Sequence, residues 1–274
     1  MKVSAIIPTY NTALYILRAV RSCLDISDIQ EVIVIDDGST DDSAEIIGNI
    51  SDHRLTILRH PDGLNHGRSA SRNLGMKGAK GDWIIFCDAD DFCLQHRLAH
   101  LIKKDHTDID GYYDLIEART DDPALEDSDI LQHRGIERKV LPADLFNHLA
   151  SNRESWFNLT GLTIRKSSLQ CVGLFDESLS IAEDTDLIWR LALNANLING
   201  GATTPVAVRW VHCNNSYQDK TSLIKGRYAF YRKWKKLVPE LTIAQEARRR
   251  TVDSYWYYRR KCLQHKILNW FGKK

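Results

Sequence analysis

Three carboxylates follow a short apolar run in GDWIIFCDADDF, residues 81–92. Residues 83–87 are five consecutive apolar residues, which is typical of a buried parallel strand. Asp88, Asp90 and Asp91 come next, and negative side chains so close together repel one another. A bound cation would relieve this repulsion, because Mg²⁺ and Mn²⁺ prefer oxygen ligands and usually keep phosphate oxygens as partners. The stretch therefore indicates a site for a metal and a diphosphate.

Two other polar groups follow apolar runs, PTYN at residues 8–11 and DDGS at residues 36–39. Asp36 and Asp37 offer acceptors suited to a base N–H or a ribose hydroxyl. The alternative is an Asx turn that uses Ser39 to start the next helix.

Arg68 and Arg72 are four residues apart, so in a helix they lie on one face. They could pair with the acidic loops or reach a phosphate. For Arg68, an ordinary surface face is the alternative.

Strand and helix patterns alternate through the first hundred residues and predict the elements that position these groups. Strands are expected at 3–7, 31–36, 55–58 and 83–87, with helices between them. This alternation predicts a doubly wound, mainly parallel α/β sheet. In such sheets ligands bind at the carboxyl ends of the strands, where all three polar groups fall.

The second half is less regular, but it contains a clear helix pattern at 178–197 and a strand pattern at 206–213. From residue 220 onward the sequence is basic, aromatic and helical. Residues 220–274 carry 16 Lys/Arg against three Asp/Glu, a net charge of +13, although the whole chain is at +1. This asymmetry predicts a tail that meets an anionic surface.

The length of 274 residues suits one large domain or two small ones. The six cysteines are scattered without a CxxC pair, so their spacing indicates neither a zinc nor a redox site. Because the sequence shows neither a signal-peptide pattern nor an apolar stretch of membrane-spanning length, we expect a cytoplasmic protein.

Five segments, in this order and spacing, resemble the family 2 glycosyltransferases, which are inverting, nucleotide-sugar-dependent enzymes: VSAIIPTYN, EVIVIDDGSTDDS, GRSASRNLGMKGAKGDWIIFCDADD, GLFDESL and AEDTDLIWRL. The resemblance extends from residue 3 to about residue 213. It implies the glycosyltransferase-A fold, a Rossmann-like, mainly parallel central sheet flanked by helices, here followed by a basic helical extension.

The resemblance also implies roles for individual residues. Five would help to hold the nucleotide: Pro8, Thr9, Tyr10, Asp37 and Arg72. Asp88 would contact the ribose side, and Asp90 would bind Mn²⁺ or Mg²⁺ on the diphosphate. Asp91 would contact the donor sugar or the acceptor.

The family's catalytic base is the Asp of an ED pair, which here matches Glu183 and Asp184. A carboxylate must accept the proton of the attacking hydroxyl. Without the other motifs, an acidic first helical turn would be the preferred interpretation, because it complements the helix dipole. His212 occupies the place where some relatives have a His near the metal, although a lone His beside an apolar strand is more often structural.

The resemblance predicts a catalytic domain at 1–219, with a nucleotide-binding half at about 1–110 and an acceptor-binding half at about 111–219, and an extension at 220–274. QxxRW is absent after the ED pair, which favours a non-processive enzyme that adds one sugar. The implied donor is a UDP-sugar, although the residues exclude neither GDP nor dTDP. The implied acceptor is a glycan or a lipid-linked glycan in bacterial surface polysaccharide synthesis.

Six residues of the tail fall on one helical face, which Arg259 and Lys266 interrupt: Val252, Tyr255, Trp256, Leu263, Ile267 and Trp270. One interpretation is an interfacial helix on the inner face of an anionic membrane. The other is a helix that packs on the catalytic domain.

Two other functions were weighed. A sugar-nucleotide nucleotidyltransferase would need a Gly-rich basic loop after the first strand, where PTYN stands. A nucleic-acid-binding module could use the basic tail, but it would leave the acidic strand ends unexplained, and no nucleic-acid partner is expected.

Overall fold

The computed structural model describes residues 2–103, 106–126, 129–132, 134–151, 156–201, 203–213 and 219–271. Its strands are β1 (Val3–Thr9), β2 (Glu31–Asp36), β3 (Leu55–Arg59), β4 (Trp83–Phe86), β5 (Phe92–Cys93), β6 (Gly111–Tyr113), β7 (Glu117–Arg119), β8 (Leu162–Arg165), β9 (Leu197–Asn199) and β10 (Ala207–Trp210). Its helices are α1 (Ile16–Leu24), α2 (Ser43–Gly48), α3 (Gly67–Gly78), α4 (Ala99–Lys103), α5 (Pro142–Ser151), α6 (Lys166–Val172), α7 (Glu183–Asn194), α8 (Lys220–Leu237) and α9 (Gln245–Phe271).

The described strands form a seven-stranded sheet in the order β3-β2-β1-β4-β8-β6-β9. Strands β3, β2, β1 and β4 are parallel, β8 runs antiparallel to both β4 and β6, and β6 and β9 are parallel. A smaller sheet has the order β5-β10-β7. The predicted mainly parallel α/β architecture is confirmed.

Both faces of the large sheet are covered, which explains its continuous apolar strands. In β1, Ala5 and Ile7 pack into one core with α1, whereas Ile6, between them, packs into a second core with α7. Successive side chains of a strand point to opposite faces, so both cores need apolar residues from every central strand.

Strand β1 extends to Thr9 instead of ending before Pro8, as the sequence suggested. The β1–β4 ladder ends with Ile6 opposite Phe86, and the N–H of Cys87 donates to the carbonyl of Ile6. Beyond that point β1 has no β4 partner, so the N–H that proline lacks costs no ladder hydrogen bond.

Helix α8 packs its aromatic side chains into the core. Phe230 and Trp234 are 2% and 1% exposed and contact the Trp189 ring at centroid distances of 5.0 Å each. The indole N–H of Trp234 donates to Asp186 over 3.0 Å. Phe230 and Trp234 therefore pack on the rest of the protein.

Helix α9 buries small residues, Ala247, Thr251 and Ser254, and leaves Trp256 and Tyr257 40% and 45% exposed. Of the predicted tail face, Ile267 and Trp270 lie outside the residues whose side chains are described. Within the described residues, the helices lack the combination of length and apolar character needed to cross a bilayer.

Candidate active site

A cavity of about 600 Å³ opens at the carboxyl ends of β1, β2 and β4 and at the N-terminus of α7. It is lined by all ten residues to which the family resemblance gave a role in the site: Pro8, Thr9, Tyr10, Asp37, Arg72, Asp88, Asp90, Asp91, Asp184 and His212. Asp36, the other acceptor suggested for a base or ribose, does not line it. The structure thus brings together residues separated by up to two hundred positions. Their individual roles stay predictions.

The loops after β1 and β2 are joined by short hydrogen bonds. Asn11 has the left-handed backbone conformation, with φ of 52°, and its side-chain oxygen accepts the N–H of Thr40 over 2.8 Å. Its own N–H donates to the Ser39 hydroxyl over 3.1 Å. The N–H of Ala13 donates to the Asp41 carboxylate over 3.0 Å. These bonds make the two loops one continuous wall of the cavity.

The two acids at the end of β2, Asp36 and Asp37, have different environments. Asp36 accepts the N–H of Ser39 over 3.0 Å and so closes a turn, but the next helix, α2, begins at Ser43, and the expectation that Ser39 starts it is wrong. Asp37 accepts the N–H groups of His66 and Gly67, each over 2.8 Å. It therefore fixes the start of α3, and any contact with a nucleotide would be additional to these bonds.

Arg72 links the acidic loop to the ED pair. It is 2% exposed and donates to Asp88 over 2.6 Å and to Glu183 over 3.0 Å. Burial raises the pKa of Asp88, but the charge and hydrogen bond of Arg72 more than offset this effect, so the pKa lies below its usual value. Arg68 also reaches Glu183, at 3.3 Å. Both arginines thus pair with Glu183, which is buried beside the cavity, and Arg72 also pairs with Asp88 of the cavity lining.

Asp91 is a buried part of the cavity wall. It is 3% exposed, and its carboxylate accepts the N–H of Trp210 over 2.9 Å and the hydroxyl of Thr160 over 3.0 Å. Burial, and then the charges of Asp90 and Asp88, raise its pKa well above the usual value. Asp91 therefore joins the acidic loop to β10.

Asp90 and His212 converge on the open part of the cavity. The Oδ2 of Asp90 lies 3.1 Å from the Nε2 of His212, and their side chains are 25% and 11% exposed. The Tyr15 ring stacks on His212 at 4.6 Å and orients it. Adjacent ligands of an octahedral ion bound at about 2.1 Å are about 3 Å apart. The separation of these two atoms is therefore compatible with a shared divalent ion.

Asp184 stands in the first turn of α7, where the helix dipole favours a carboxylate. Ala182, the residue immediately before α7, has a φ of 63°, a left-handed conformation that is uncommon for alanine and frequent at functional sites. Glu183 is buried, and its pKa is raised first by burial and then by the charge of Asp184. Within the described residues Asp184 forms no ion pair, and it is partly exposed to the cavity.

Two basic residues of the site were missed by the sequence analysis. Arg18 donates to the main-chain carbonyl of Asp90 over 3.0 Å, and its guanidinium lies between the rings of Phe92 and Trp210. Its contact is 72 positions away in the chain, so no local pattern could have revealed it. Arg209 lines the cavity, and its place within the strand predicted at 206–213 was a usable signal.

The family model for glycosyl transferase family 2 matches residues 4–157, which is more than half of the chain. The chain belongs to glycosyl transferase family 2.

Individual relatives agree with this assignment. An uncharacterized glycosyltransferase of Haemophilus influenzae is 44% identical over 99 residues, 35% of this chain and 39% of the relative. Poly(ribitol-phosphate) beta-N-acetylglucosaminyltransferase TarS of Staphylococcus aureus is 26% identical over 212 residues, 73% of this chain and 34% of TarS. In both cases the match covers well under two thirds of the relative.

Solved structures share the fold. TarS 1-349 in complex with UDP-GlcNAc superposes with a TM-score of 0.72 at 20% identity, covering 94% of this chain and 72% of that one. Mannosyltransferase PcManGT from Pyrobaculum calidifontis, in complex with GDP-Man and Mn²⁺, gives a TM-score of 0.62 at 17% identity, covering 93% and 69%. The glycosyltransferase-A architecture implied by the resemblance is thereby confirmed.

Proposed function

We propose that this family 2 member transfers one sugar from a nucleotide-sugar donor to a hydroxyl of a glycan or lipid-linked glycan acceptor, with inversion at the anomeric carbon, in bacterial surface polysaccharide synthesis. The observation that carries this proposal is the convergence of all ten predicted site residues on one cavity of about 600 Å³. A volume of this size suits a small-molecule ligand.

The nucleotide would lie on the wall formed by the loops after β1 and β2. Tyr10 is 46% exposed, so its ring can stack on a base. Pro8 and Thr9 shape the floor beside it, and Asp37 faces the same wall. Asp88, held by Arg72, offers its remaining acceptors to the ribose. A UDP-sugar is the proposed donor, and the complex of TarS with UDP-GlcNAc supports this choice. Because PcManGT binds GDP-Man, GDP-sugars are included in the test below.

Asp90 and His212 would hold a divalent metal, as their 3.1 Å separation permits. When bound, Mn²⁺ or Mg²⁺ neutralises the charge that develops on the departing diphosphate. Arg18 holds Asp90 in place by donating to the main-chain carbonyl of Asp90. The Tyr15 ring stacks on the imidazole of His212 and limits its rotation. These contacts prepare the site before the donor arrives.

Asp184 would act as the base. As the acceptor oxygen bonds to the anomeric carbon, the bond to the diphosphate breaks and the hydroxyl proton passes to the Asp184 carboxylate. Glu183 is tied to Arg72 and Arg68, so it orients the turn and leaves Asp184 facing the cavity.

A thermal-shift panel tests the donor and the metal. Nucleoside diphosphates and nucleotide sugars based on UDP, GDP and dTDP are added with and without Mn²⁺, because a ligand stabilises the folded state to which it binds. We expect a metal-dependent rise in Tm with one nucleotide, lost in Asp90→Asn and retained in Asp253→Asn, an exposed position on α9. A shift of the same size in Asp90→Asn would contradict the metal assignment.

We further propose that the extension at 220–274 contacts an anionic membrane peripherally. The support is an exposed basic and aromatic surface, in which the Lys235 ammonium lies 4.2 Å and 4.4 Å from the ring centroids of Tyr255 and Trp256. Lys/Arg and Trp/Tyr together favour anionic headgroups. Liposome flotation should show binding that requires anionic lipid and weakens in Lys235→Glu. Equal binding to neutral liposomes would refute this role.

A further inference from the structure

Three cysteines that are distant in sequence meet beneath the acidic loop. Cys23 lies on α1, Cys87 follows β4, and Cys93 lies on β5; their sulfur atoms are all within 4.8 Å of one another. The Cys23 and Cys93 sulfurs are 3.8 Å apart. All three residues are at most 5% exposed. The ordinary interpretation of such residues is that they pack as small apolar side chains.

The sulfur–sulfur distance distinguishes two kinds of chemistry. Two thiolates on one tetrahedral zinc ion, at about 2.3 Å from it, are about 3.8 Å apart. The observed Cys23–Cys93 distance of 3.8 Å already has this value. A disulfide requires about 2.05 Å, so the same sulfurs would have to approach by roughly 1.8 Å. The arrangement therefore favours a shared ion over a disulfide.

A buried positive charge next to the cluster provides an independent observation. Arg97 is 0% exposed and donates to neutral acceptors, the hydroxyl of Thr163 over 2.7 Å and the carbonyls of Thr160 and Leu162 over 2.9 Å and 2.8 Å. Within the described residues it pairs with no carboxylate, and its Nε has no hydrogen-bond partner. A buried cation is costly unless a negative charge lies nearby.

The thiol cluster can supply that negative charge. The Arg97 guanidinium interacts directly with the Cys93 side chain, so its positive charge lies beside the thiols that would become thiolates on metal binding.

We propose that Cys23, Cys87 and Cys93 form a binding site for one thiophilic divalent ion of the zinc class. Each thiol releases its proton to solvent on binding. Three thiolates and one divalent cation carry a net charge of −1, which Arg97 neutralises. The site is chemically distinct from the cavity, because soft sulfur ligands select zinc-like ions whereas the carboxylates select hard ions.

The position of the site gives it a structural role. Cys87 and Cys93 stand on either side of residues 88–91, and Cys23 belongs to α1, which also carries Arg18. A bound ion would fix both ends of the acidic loop to α1 and so hold Asp88 and Asp90 in position. This consequence rests on the proposed function; the binding of the ion does not.

The test is a titration of the reduced, metal-free protein of 274 residues with Cd²⁺, which gives an ultraviolet charge-transfer band when thiolates bind it. We expect the band to saturate at one equivalent, Zn²⁺ to remove it by competition, and bound Zn²⁺ to raise Tm. The band should be lost in Cys23→Ala and in Cys93→Ala. It should persist in Cys171→Ala, which changes an exposed cysteine on α6, and in Asp90→Asn.

If the band persists in Asp90→Asn while nucleotide binding is lost, the cysteine site and the proposed donor site are separate. X-ray absorption of the zinc-loaded wild-type protein needs no variant, and it should show sulfur neighbours at about 2.3 Å. Absence of a stoichiometric band, or a shell of oxygen and nitrogen only, would leave the cysteines as packed thiols and overturn the proposal.

Discussion

Beside the cavity, two acids, Asp91 and Glu183, are buried. In the C-terminal helices, by contrast, the aromatic residues Phe230 and Trp234 are buried, and the described Lys and Arg side chains keep some exposure to solvent. In the helices, burial removes apolar surface from water and therefore stabilises the fold. At the cavity, burial raises the free energy of the charges, and only partners such as Arg72 make it tolerable.

A buried residue can thus either stabilise the fold, as in α8, or serve the binding site at a cost in stability, as at the cavity. A protein usually departs from the rules of stability where function requires it. Substitutions in the cavity should therefore change ligand binding or turnover, and substitutions in α8 should change stability.

The largest effect is expected for Asp184→Asn. Loss of a general base lowers turnover by about 10²–10⁴-fold, whereas the nucleotide-induced rise in Tm should be unchanged, because the amide keeps the shape of the side chain. Release of nucleoside diphosphate in the presence of acceptor measures turnover. Asp253→Asn serves as the control, and a normal rate in Asp184→Asn would disprove the base assignment.

Trp234→Ala should lower the free energy of unfolding by about 3–5 kcal/mol, because it empties a well-packed aromatic site and removes the hydrogen bond to Asp186. Trp256→Ala is the matched control: its ring is 40% exposed, so the loss should stay within about 0.5 kcal/mol. Urea unfolding measures both. Similar losses of stability in the two variants would mean that the tryptophan of α8 contributes no more to folding than the tryptophan of α9.

Arg72 lines the cavity, but Arg72→Met should affect both ligand binding and the free energy of unfolding. It leaves Asp88 and Glu183 without their buried partner and should cost about 3 kcal/mol in urea unfolding. Arg68→Met removes a 37% exposed charge from the same Glu183 and should cost less than about 1 kcal/mol. If Arg72→Met and Arg68→Met lowered the free energy of unfolding equally, the ion pair of Arg72 with Glu183 would not be the main contact of Glu183.

The smallest effect concerns pH and the contact between Asp176 and Lys233, which joins α8 to the rest of the fold over 2.8 Å. Burial opposes ionisation of Asp176, but hydrogen bonds from Lys233 and Ser178 lower its pKa to about 2. Because the folded pKa is below the unfolded value of about 4, the stabilisation is present above pH 4 and is lost as the pH falls toward 2. After allowance for solvent screening it amounts to about 1 kcal/mol.

Urea unfolding at pH 5 and at lower pH should therefore show a steeper loss of stability for the wild type than for Asp176→Asn. Parallel curves for the two proteins would show that this contact contributes nothing.

Parts of the site were predictable because they follow from one local rule. The acids after β4 and the polar residues at the ends of β2 and β1 all follow buried apolar runs, and parallel strands bring such positions to one edge of a sheet. The contacts of Asp91 were not predictable, because its partners Trp210 and Thr160 lie 119 and 69 positions away in the chain.

The sequence by itself determined the alternation of strands and helices, the place of the acidic loop and the basic character of the tail, since each depends on residues close together in the chain. Tertiary structure decided which of two similar tryptophans, Trp234 or Trp256, is buried, and that three scattered cysteines share one pocket. The physical reason is that burial depends on the surface a residue packs against, and that surface comes from other parts of the chain.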